Sequence, residues 1–141
     1  MAKGKYGKNF STEVVKEVDK RPGAFVTSTR HLEKFGGGHL SVDAIYVNHP
    51  HLMISQPHKH EFPQYLNFFS ANPGNPKDFD AEIEVTLGEE QEKHIIKSPT
   101  ALYIPVGLMH GPLNFAKINK PVLFIDVAVT GKYSRVGNTP D

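Results

Sequence analysis

The chain has 141 residues, no cysteine and a formal net charge of +1 at pH 7, from 16 basic and 15 acidic residues. This length suits one ordinary domain, and the lack of cysteine excludes disulfides and thiolate metal sites. The balanced charge argues against nucleic acid as a partner. No apolar stretch approaches the about 20 residues that a membrane-spanning helix needs, and none follows the lysine-rich N-terminus as in a secretory signal. We therefore expect a cytoplasmic protein that binds neither nucleic acid nor membranes.

The N-terminal part of the chain predicts little regular structure, and the remainder predicts strands. Residues 11–20 suit either a short helix or an irregular arm, which the Arg-Pro-Gly sequence at 21–23 would end. Short segments rich in β-branched and aromatic residues then alternate with turn residues, as in a β-sandwich or barrel. The predicted strands are residues 24–29, 41–47, 54–69, 81–87, 91–96, 100–104 and 122–130. Between them, the glycines at 36–38 predict a hairpin connection, and residues 72–76 predict a loop.

A His-Lys-His sequence is the first candidate for chemistry. Residues two apart on a strand point to the same face, with Cα atoms roughly 6.5 Å apart, so His58 and His60 can converge on one metal ion. Gln64 keeps the same parity and can add an amide oxygen if the strand stays regular past Pro63, whereas Glu61 has the opposite parity. The pair alone is a weak signal, because two solvated imidazoles on an exposed strand would give the same pattern.

A second segment, Pro-Val-Gly-Leu-Met-His-Gly-Pro-Leu-Asn, begins at Pro105. Together with the histidine pair it resembles the two sequence motifs of the cupin superfamily. The first of these motifs ends in His-x-His followed by an acidic residue, and the second reads Pro-x-Gly-x-x-His-x-x-x-Asn. Pro105, Gly107, His110 and Asn114 match the second motif completely. The likeness covers roughly residues 50–130.

This resemblance implies a fold, a ligand set and a partner. The fold would be all-β: a single antiparallel cupin (jelly-roll) β-barrel that holds one divalent metal ion. The expected domains are an N-terminal arm at 1–22, the cupin barrel at 23–130 and a C-terminal tail at 131–141. By this likeness the metal ligands are His58, His60, Gln64 and His110. The expected substrate pocket comprises Phe62, Phe68, Tyr103 and Asn114. The likeness and the fifty residues ahead of the motifs also favour a homodimer.

Gln64 departs from the family pattern, because it occupies the position of the acidic residue. Three neutral imidazoles and a neutral amide would leave a bound ion with its full double charge, which favours anionic ligands. Imidazole-rich sites suit Fe, Zn or Ni, and the missing carboxylate makes Mn a poorer candidate. The gap between the two motifs is also long, and the loop at 70–80 that lengthens it could cover the mouth of the barrel.

The predicted function is that of a metal-binding cupin, acting as an enzyme on a small, anionic, oxygen-rich metabolite. Dioxygenase, isomerase and decarboxylase or lyase chemistry all suit a metal that binds such a molecule through two oxygens. No catalytic residue can be assigned from the sequence. A non-catalytic ligand-binding or sensing module and a structural barrel with a vestigial, metal-free site are the alternatives. Among the other histidines, His94 is expected on an exposed strand, or at a pocket edge as a proton carrier, while His49 and His51 are expected in a loop.

Overall fold

The computed structural model describes residues 4–12, 14–17, 25–28, 40–130 and 136–137. These residues contain twelve β-strands and one 3-10 turn at Gly7–Asn9, and no helix in this part of the chain is long and apolar enough to cross a membrane. The first six strands are β1 Val15–Glu17, β2 Phe25–Ser28, β3 Ser41–Val47, β4 His51–Ile54, β5 His58–Lys59 and β6 Gln64–Ser70. The others are β7 Ala81–Leu87, β8 Glu92–Ile96, β9 Thr100–Ile104, β10 His110–Ile118, β11 Val122–Ala128 and β12 Val136–Gly137.

The strands form two antiparallel sheets that enclose one core, as in a jelly-roll sandwich. Sheet 1 has the strand order β1-β2-β3-β11-β6-β9. Sheet 2 has the order β12-β5-β10-β7-β8, and β4 also pairs with β10. Strands far apart in the sequence are neighbours in both sheets, which is the crossover pattern of Greek-key and jelly-roll folds. The predicted all-β jelly-roll class is therefore confirmed.

Alternating apolar side chains from the two sheets meet in the core. In β7, Ile83 and Val85 point inward and are buried, as the alternation of apolar and polar residues predicts. Phe68 and Phe124 of sheet 1 contact Phe115 of sheet 2, with the three ring centroids between 5.1 and 6.1 Å apart. Burying one phenylalanine side chain contributes about 1.5–3 kcal/mol. This aromatic cluster therefore joins the two sheets at the centre of the sandwich.

The segment predicted as one strand at 54–69 is interrupted in the structure. Strand β5 ends at Lys59, and β6 begins only at Gln64. The prediction of a single strand was therefore wrong. Pro63 lies in the interruption, and proline has no backbone N–H to donate to a strand ladder. Burial nevertheless keeps its period of two, because every even-numbered residue from 58 to 68 is buried and every odd-numbered one is more exposed.

Three other predictions of local structure differ from the fold. Residues 15–17 form β1, which pairs with β2, so the helical alternative for 11–20 was wrong there. His51, expected in a loop, begins β4, whose partner is β10. No strand was predicted at β10 itself, because Gly111 and Pro112 follow His110 and suggest a turn.

Parts of the predicted organisation lie outside the described residues. This applies to the glycine connection at 36–38 and to most of the tail at 131–141. Within the tail, β12 pairs with β5 of sheet 2. The domain boundaries after residues 22 and 130 stay a prediction.

The long loop between β6 and β7 lies at the end of the sandwich opposite to the candidate ligands. Gln64 pairs with Ile104 and Ala128 at one end of sheet 1, whereas Ser70 pairs with Val122 at the other end. Because the loop follows Ser70, it cannot cover the end that carries Gln64. The expectation that this loop covers the mouth of the barrel was therefore wrong.

Candidate metal centre

Three buried histidines converge at one end of sheet 2. His58 lies in β5, His60 follows it directly, and His110 begins β10, where it is the cross-strand partner of His58. One ring nitrogen from each residue can be chosen so that all three lie within 4.8 Å of one another. The three side chains are only 1–3% exposed. An ion at about 2.0–2.1 Å from each nitrogen would hold any two of them at most about 4.2 Å apart, so the three rings would close slightly around it.

Backbone carbonyls fix the rings of two of these histidines. Nδ1 of His58 lies 3.3 Å from the carbonyl oxygen of Gln56, and Nδ1 of His110 lies 3.0 Å from that of Leu108. A carbonyl oxygen can only accept, so these hydrogen bonds require the proton on Nδ1. The lone pair is then on Nε2, which is the tautomer that binds a metal ion through Nε2.

The third histidine, His60, is held at its ring by a stacking contact and at its backbone by the loop that precedes β10. Its ring stacks on Phe62, with centroids 4.6 Å apart and planes 20° apart. Its carbonyl oxygen accepts a hydrogen bond of 3.0 Å from the backbone N–H of Gly107. Gly107 has a φ of +82°, a conformation that glycine adopts without strain. The Pro-x-Gly turn between β9 and β10 is therefore hydrogen-bonded to the first motif segment at His60.

Gln64 is buried, and its two side-chain polar atoms have different surroundings. Nε2 donates to the Asp126 carboxylate at 3.0 and 3.2 Å. Oε1 has no hydrogen-bond partner among the residues that the structure describes. A buried amide oxygen without a partner is costly, by about 1–3 kcal/mol. An oxygen donor of this kind is suited to a metal ion, which would satisfy it.

Asp126 and Asp43 are functional candidates that the sequence analysis missed. They are direct cross-strand partners on β11 and β3, and both occupy inward-facing positions. Side chains at such partner positions have Cβ atoms about 4.5–5.5 Å apart. Because Asp43 pairs with Asp126, a second carboxylate lies next to the one that accepts from Gln64. Asp43 is also buried, with 2% of its surface exposed. Acidic residues at the inward positions of two apolar strands were the available signal.

The four predicted pocket residues lie in different places. Phe62 contacts His60 and is therefore at the histidine cluster. Phe68 lies deeper, within the aromatic core. Tyr103 is half exposed on the outer face of sheet 1. Asn114 lies on the outward side of β10, because a register shift between His110 and Leu113 turns the following residues over. The structure thus brings only Phe62 close to the candidate ligands, and the composition of a substrate pocket stays a prediction.

A cavity of about 280 Å³ opens at the edge of the sandwich between β8 and β9. Its wall is mainly apolar and includes Val85, Leu87 and Leu102. Leu87 is the cross-strand partner of His110, so the cavity borders the strand pair that carries a candidate ligand. His94 lines the cavity from β8, and its side chain is exposed and contacts Glu92. The structure therefore confirms the exposed position predicted for His94 and also places it at a cavity edge.

The fold is similar to those of several proteins of known structure. Oxalate oxidase in complex with the substrate analogue glycolate has a TM-score of 0.60 at 15% identity, over 92% of this chain and 63% of that one. The polyketide cyclase RemF from Streptomyces resistomycificus has a TM-score of 0.55 at 15% identity, over 94% and 84%. Vicilin from Corylus avellana has a TM-score of 0.54 at 14% identity, over 89% and 35%. No protein-family model and no curated protein matches the sequence.

These similarities establish the fold. Oxalate oxidase and RemF are cupin-fold proteins, so this chain has the cupin fold that its two motifs predict. It spans 63% of the length of the oxalate oxidases that it resembles. The buried triad of His58, His60 and His110 gives this fold a candidate site for a metal ion. A shared fold at this level of identity does not carry an activity with it.

Proposed function

We propose that this chain is a metal-dependent enzyme that acts on a small, anionic, oxygen-rich molecule. The observation that carries the proposal is the buried cluster of three imidazoles, whose ligand atoms lie within 4.8 Å of one another. Neutral imidazole is the commonest protein ligand of transition metals. Three imidazoles at one buried point can bind a single ion together.

The proposed ligand set is His58, His60, His110 and Gln64, around one divalent transition ion. The Nδ1 contacts of His58 and His110 leave Nε2 as their ligand atom. For Gln64, the hydrogen bond that Nε2 donates to Asp126 leaves the side-chain oxygen Oε1 as its ligand atom. Three imidazoles and one amide oxygen suit Fe, Zn or Ni better than Mn, which prefers carboxylates. When bound, such an ion polarises substrate oxygens and acidifies a bound water.

The substrate class is proposed from charge, cavity size and the fold neighbours. All four ligands are neutral, so the ion would attract carboxylates and similar anions. The oxalate oxidase structures include complexes with glycolate, which is described there as a substrate analogue. A cavity of about 280 Å³ is close to the lower limit of typical ligand sites, and it borders the strand of His110 through Leu87. We infer that the substrate enters from the edge between β8 and β9, on the side of Leu87, and that the reaction is of the dioxygenase, isomerase, decarboxylase or lyase type.

Elemental analysis of the purified protein tests the metal site. Wild type is expected to carry close to one equivalent of Fe, Zn or Ni per chain, and the double variant His58→Ala/His60→Ala is expected to lose it. His94→Ala is the matched control, because His94 is exposed and lies outside the triad. The proposal is overturned if wild type stays empty after reconstitution with excess Fe, Ni, Zn and Mn.

Ligand binding and turnover are measured separately on the loaded protein. Titration calorimetry with oxalate and glycolate should show binding that His58→Ala/His60→Ala abolishes. Product analysis under air and under nitrogen then separates an oxygen-consuming reaction from an isomerase or lyase. Binding to the metal without turnover of any small carboxylate or hydroxy acid tested would instead support the ligand-binding or sensing module.

A further inference from the structure

The cavity between β8 and β9 is larger and more apolar than a molecule of two carbons requires. Its volume of about 280 Å³ is that of about nine water molecules in the liquid. Its inner wall is formed by the buried side chains of Val85 and Ile96 and by the partly buried ones of Leu87 and Leu102. Oxalate or glycolate would fill only part of this space and leave the apolar wall in contact with water. We call this space the β8–β9 cavity.

Both sheets place the wall of the β8–β9 cavity next to the candidate ligands. In sheet 2, Leu87 is the cross-strand partner of His110, and the Cα atoms of such partners are about 4.5–5.5 Å apart. In sheet 1, Leu102 lies two residues before Ile104, which is the cross-strand partner of Gln64. Both leucines pack against the core and line the cavity. An apolar group attached to an anion at the candidate ligands would therefore meet these two leucines.

The polar side chains of the cavity lie towards its open rim. His94, Lys97 and Ser98 line the cavity and are exposed. Nζ of Lys97 pairs with the Glu82 carboxylate at 3.5 Å, and the hydroxyl of Thr100 donates to the backbone carbonyl oxygen of Ser98 at 2.8 Å. Among the lining residues that the structure describes, the charged groups are thus at the solvent end of the cavity, and the inner wall presents hydrocarbon.

We propose that the substrate is an amphipathic acid, with an oxygen-rich anionic end at the candidate ligands and an apolar body of about four to eight carbons in the β8–β9 cavity. The inference rests on the proposed function, because it assumes that the anionic end is bound at the metal site. It narrows the substrate class from any small oxygen-rich anion to one that carries a hydrocarbon chain or ring. Each methylene group that such a body buries raises the affinity about fourfold.

The test is titration calorimetry of the zinc-loaded protein with glycolate, 2-hydroxybutyrate and 2-hydroxyhexanoate, which share one metal-binding end and differ in the length of the chain. We expect 2-hydroxyhexanoate to bind at least about 30-fold more tightly than glycolate, since full burial of its four additional carbons would give about 250-fold. Methyl NMR of the same protein locates the chain, because Zn²⁺ has a filled d shell and does not broaden the signals. The methyl signals of Val85, Leu87 and Leu102 should shift with 2-hydroxyhexanoate and much less with glycolate.

Filling the cavity should remove this preference for the longer acid. In Leu102→Trp a larger ring occupies the cavity from β9, and we expect the ratio of the two dissociation constants to fall from at least about 30 to about 3 or less. Ala101→Trp is the matched control, because Ala101 is the adjacent residue on β9 and is exposed on the outward side of sheet 1. Thr100→Tyr covers the case in which Leu102→Trp impairs folding, since Thr100 lines the same cavity, is partly exposed and begins a strand, where an aromatic residue is favoured.

The outcomes separate this inference from the proposed function. If glycolate binds and 2-hydroxyhexanoate binds no more tightly, the inference is overturned and the proposed function stands. The same holds if Leu102→Trp and Thr100→Tyr both keep the full preference that the Ala101→Trp control shows. If the protein takes up no metal, or if the loaded protein binds none of the three hydroxy acids, the proposed function fails and this inference fails with it.

Discussion

The side-chain amide of Gln64 donates from Nε2 to both carboxylate oxygens of Asp126, at 3.0 and 3.2 Å, between the neighbouring strands β6 and β11. Because a carboxylate only accepts, this contact fixes the orientation of the amide and leaves Oε1 for another partner. A glutamate at position 64 would instead place two carboxylates against each other. Gln64 stands where the first cupin motif has an acidic residue, and here an acidic residue lies on the adjacent strand instead.

This contact changes the electrostatics that the sequence suggested. From the ligands alone, a bound ion would keep its full double charge. The structure places the Asp126 carboxylate directly behind Gln64, and Asp43 is the cross-strand partner of Asp126. Around the proposed ligand set, negative charge would therefore lie one layer further from the ion than it does in a site with a carboxylate ligand. Such outer-layer groups tune metal affinity and the acidity of bound water.

Gln64→Glu is expected to destabilise the protein in the absence of metal. The substitution replaces an amide-to-carboxylate hydrogen bond with two carboxylates in a buried position, and we expect the free energy of unfolding to fall by about 2 kcal/mol or more. Urea denaturation of chelator-treated protein at pH 7 measures this. The double variant Gln64→Glu/Asp126→Asn should recover most of the loss, because the amide introduced on β11 would donate to the new carboxylate on β6. Equal stability of wild type and Gln64→Glu would contradict this account of the pair.

Asp126→Asn is expected to weaken metal binding without removing a proposed ligand. An asparagine can present either its oxygen or its nitrogen to Gln64, so the amide orientation is no longer fixed. Loss of an orienting outer-layer partner typically costs 10–100-fold in metal affinity, and we expect a decrease of about that size. Competition with a chromophoric chelator measures the affinity. Asp80→Asn, at the opposite end of the sandwich, should leave it unchanged, and an unaltered affinity of Asp126→Asn would show that Asp126 does not position the ligand.

Strands with uninterrupted alternation were predictable from the sequence, and interrupted ones were not. β3 and β7 have the predicted bounds, because one face of each is packed against the core and the period of two is visible. β10 was missed because Gly111 and Pro112 resemble a turn. The inward-facing residues of β10 also change from even-numbered to odd-numbered between His110 and Leu113, so its buried positions do not follow one regular alternation. Strand pairing maintains β10 in spite of these local signals.

The candidate site could be predicted only as far as it is local in sequence. Parity placed His58, His60 and Gln64 on one side of the chain, and their burial shows that this side faces inward. The contact of Gln64 with Asp126 depends on the pairing of β6 with β11, across 62 residues of sequence. Tyr103, which was predicted in the substrate pocket, illustrates the same limit. Only the pairing of β6 with β9 reveals that it lies on the outward side of sheet 1, beside Tyr65.

The two glycines of the second motif segment should respond differently to alanine. A Cβ at Gly111, where φ is +110°, would lie 3.0 Å from the carbonyl oxygen of Gln56 and 3.1 Å from Cγ2 of Ile54. A Cβ at Gly107, where φ is +82°, would meet no atom within 4 Å. We expect Gly107→Ala to cost about 1 kcal/mol of stability from backbone strain alone, and Gly111→Ala at least about 2 kcal/mol. Urea denaturation of both variants measures the difference, and a reversed order would rule out steric contact as its cause.

The carboxylate of Asp78 anchors the loop between β6 and β7. It accepts hydrogen bonds from Nζ of Lys120 at 2.7 and 3.0 Å and from Nδ2 of Asn72 at 2.9 Å. The hydrogen bond from Lys120, followed by that from Asn72, lowers the pKa of Asp78 below its ordinary value of 3.8. The partly exposed ion pair contributes little at high salt.

The sign of the resulting pH dependence follows from the lowered pKa of Asp78. The carboxyl group binds its proton more weakly in the folded chain than in the unfolded chain, so its contribution to stability is present above pH 3.8 and is lost as pH falls through the folded pKa. Lys120→Met should raise the pKa of Asp78 towards 3.8 and move that loss to higher pH. Titration of the Asp78 carboxyl carbon by NMR measures the pKa directly, with Lys117→Met as a control on the neighbouring exposed lysine. An unchanged Asp78 pKa in Lys120→Met would mean that the ion pair is not populated in solution and that the loop is held by its other hydrogen bonds.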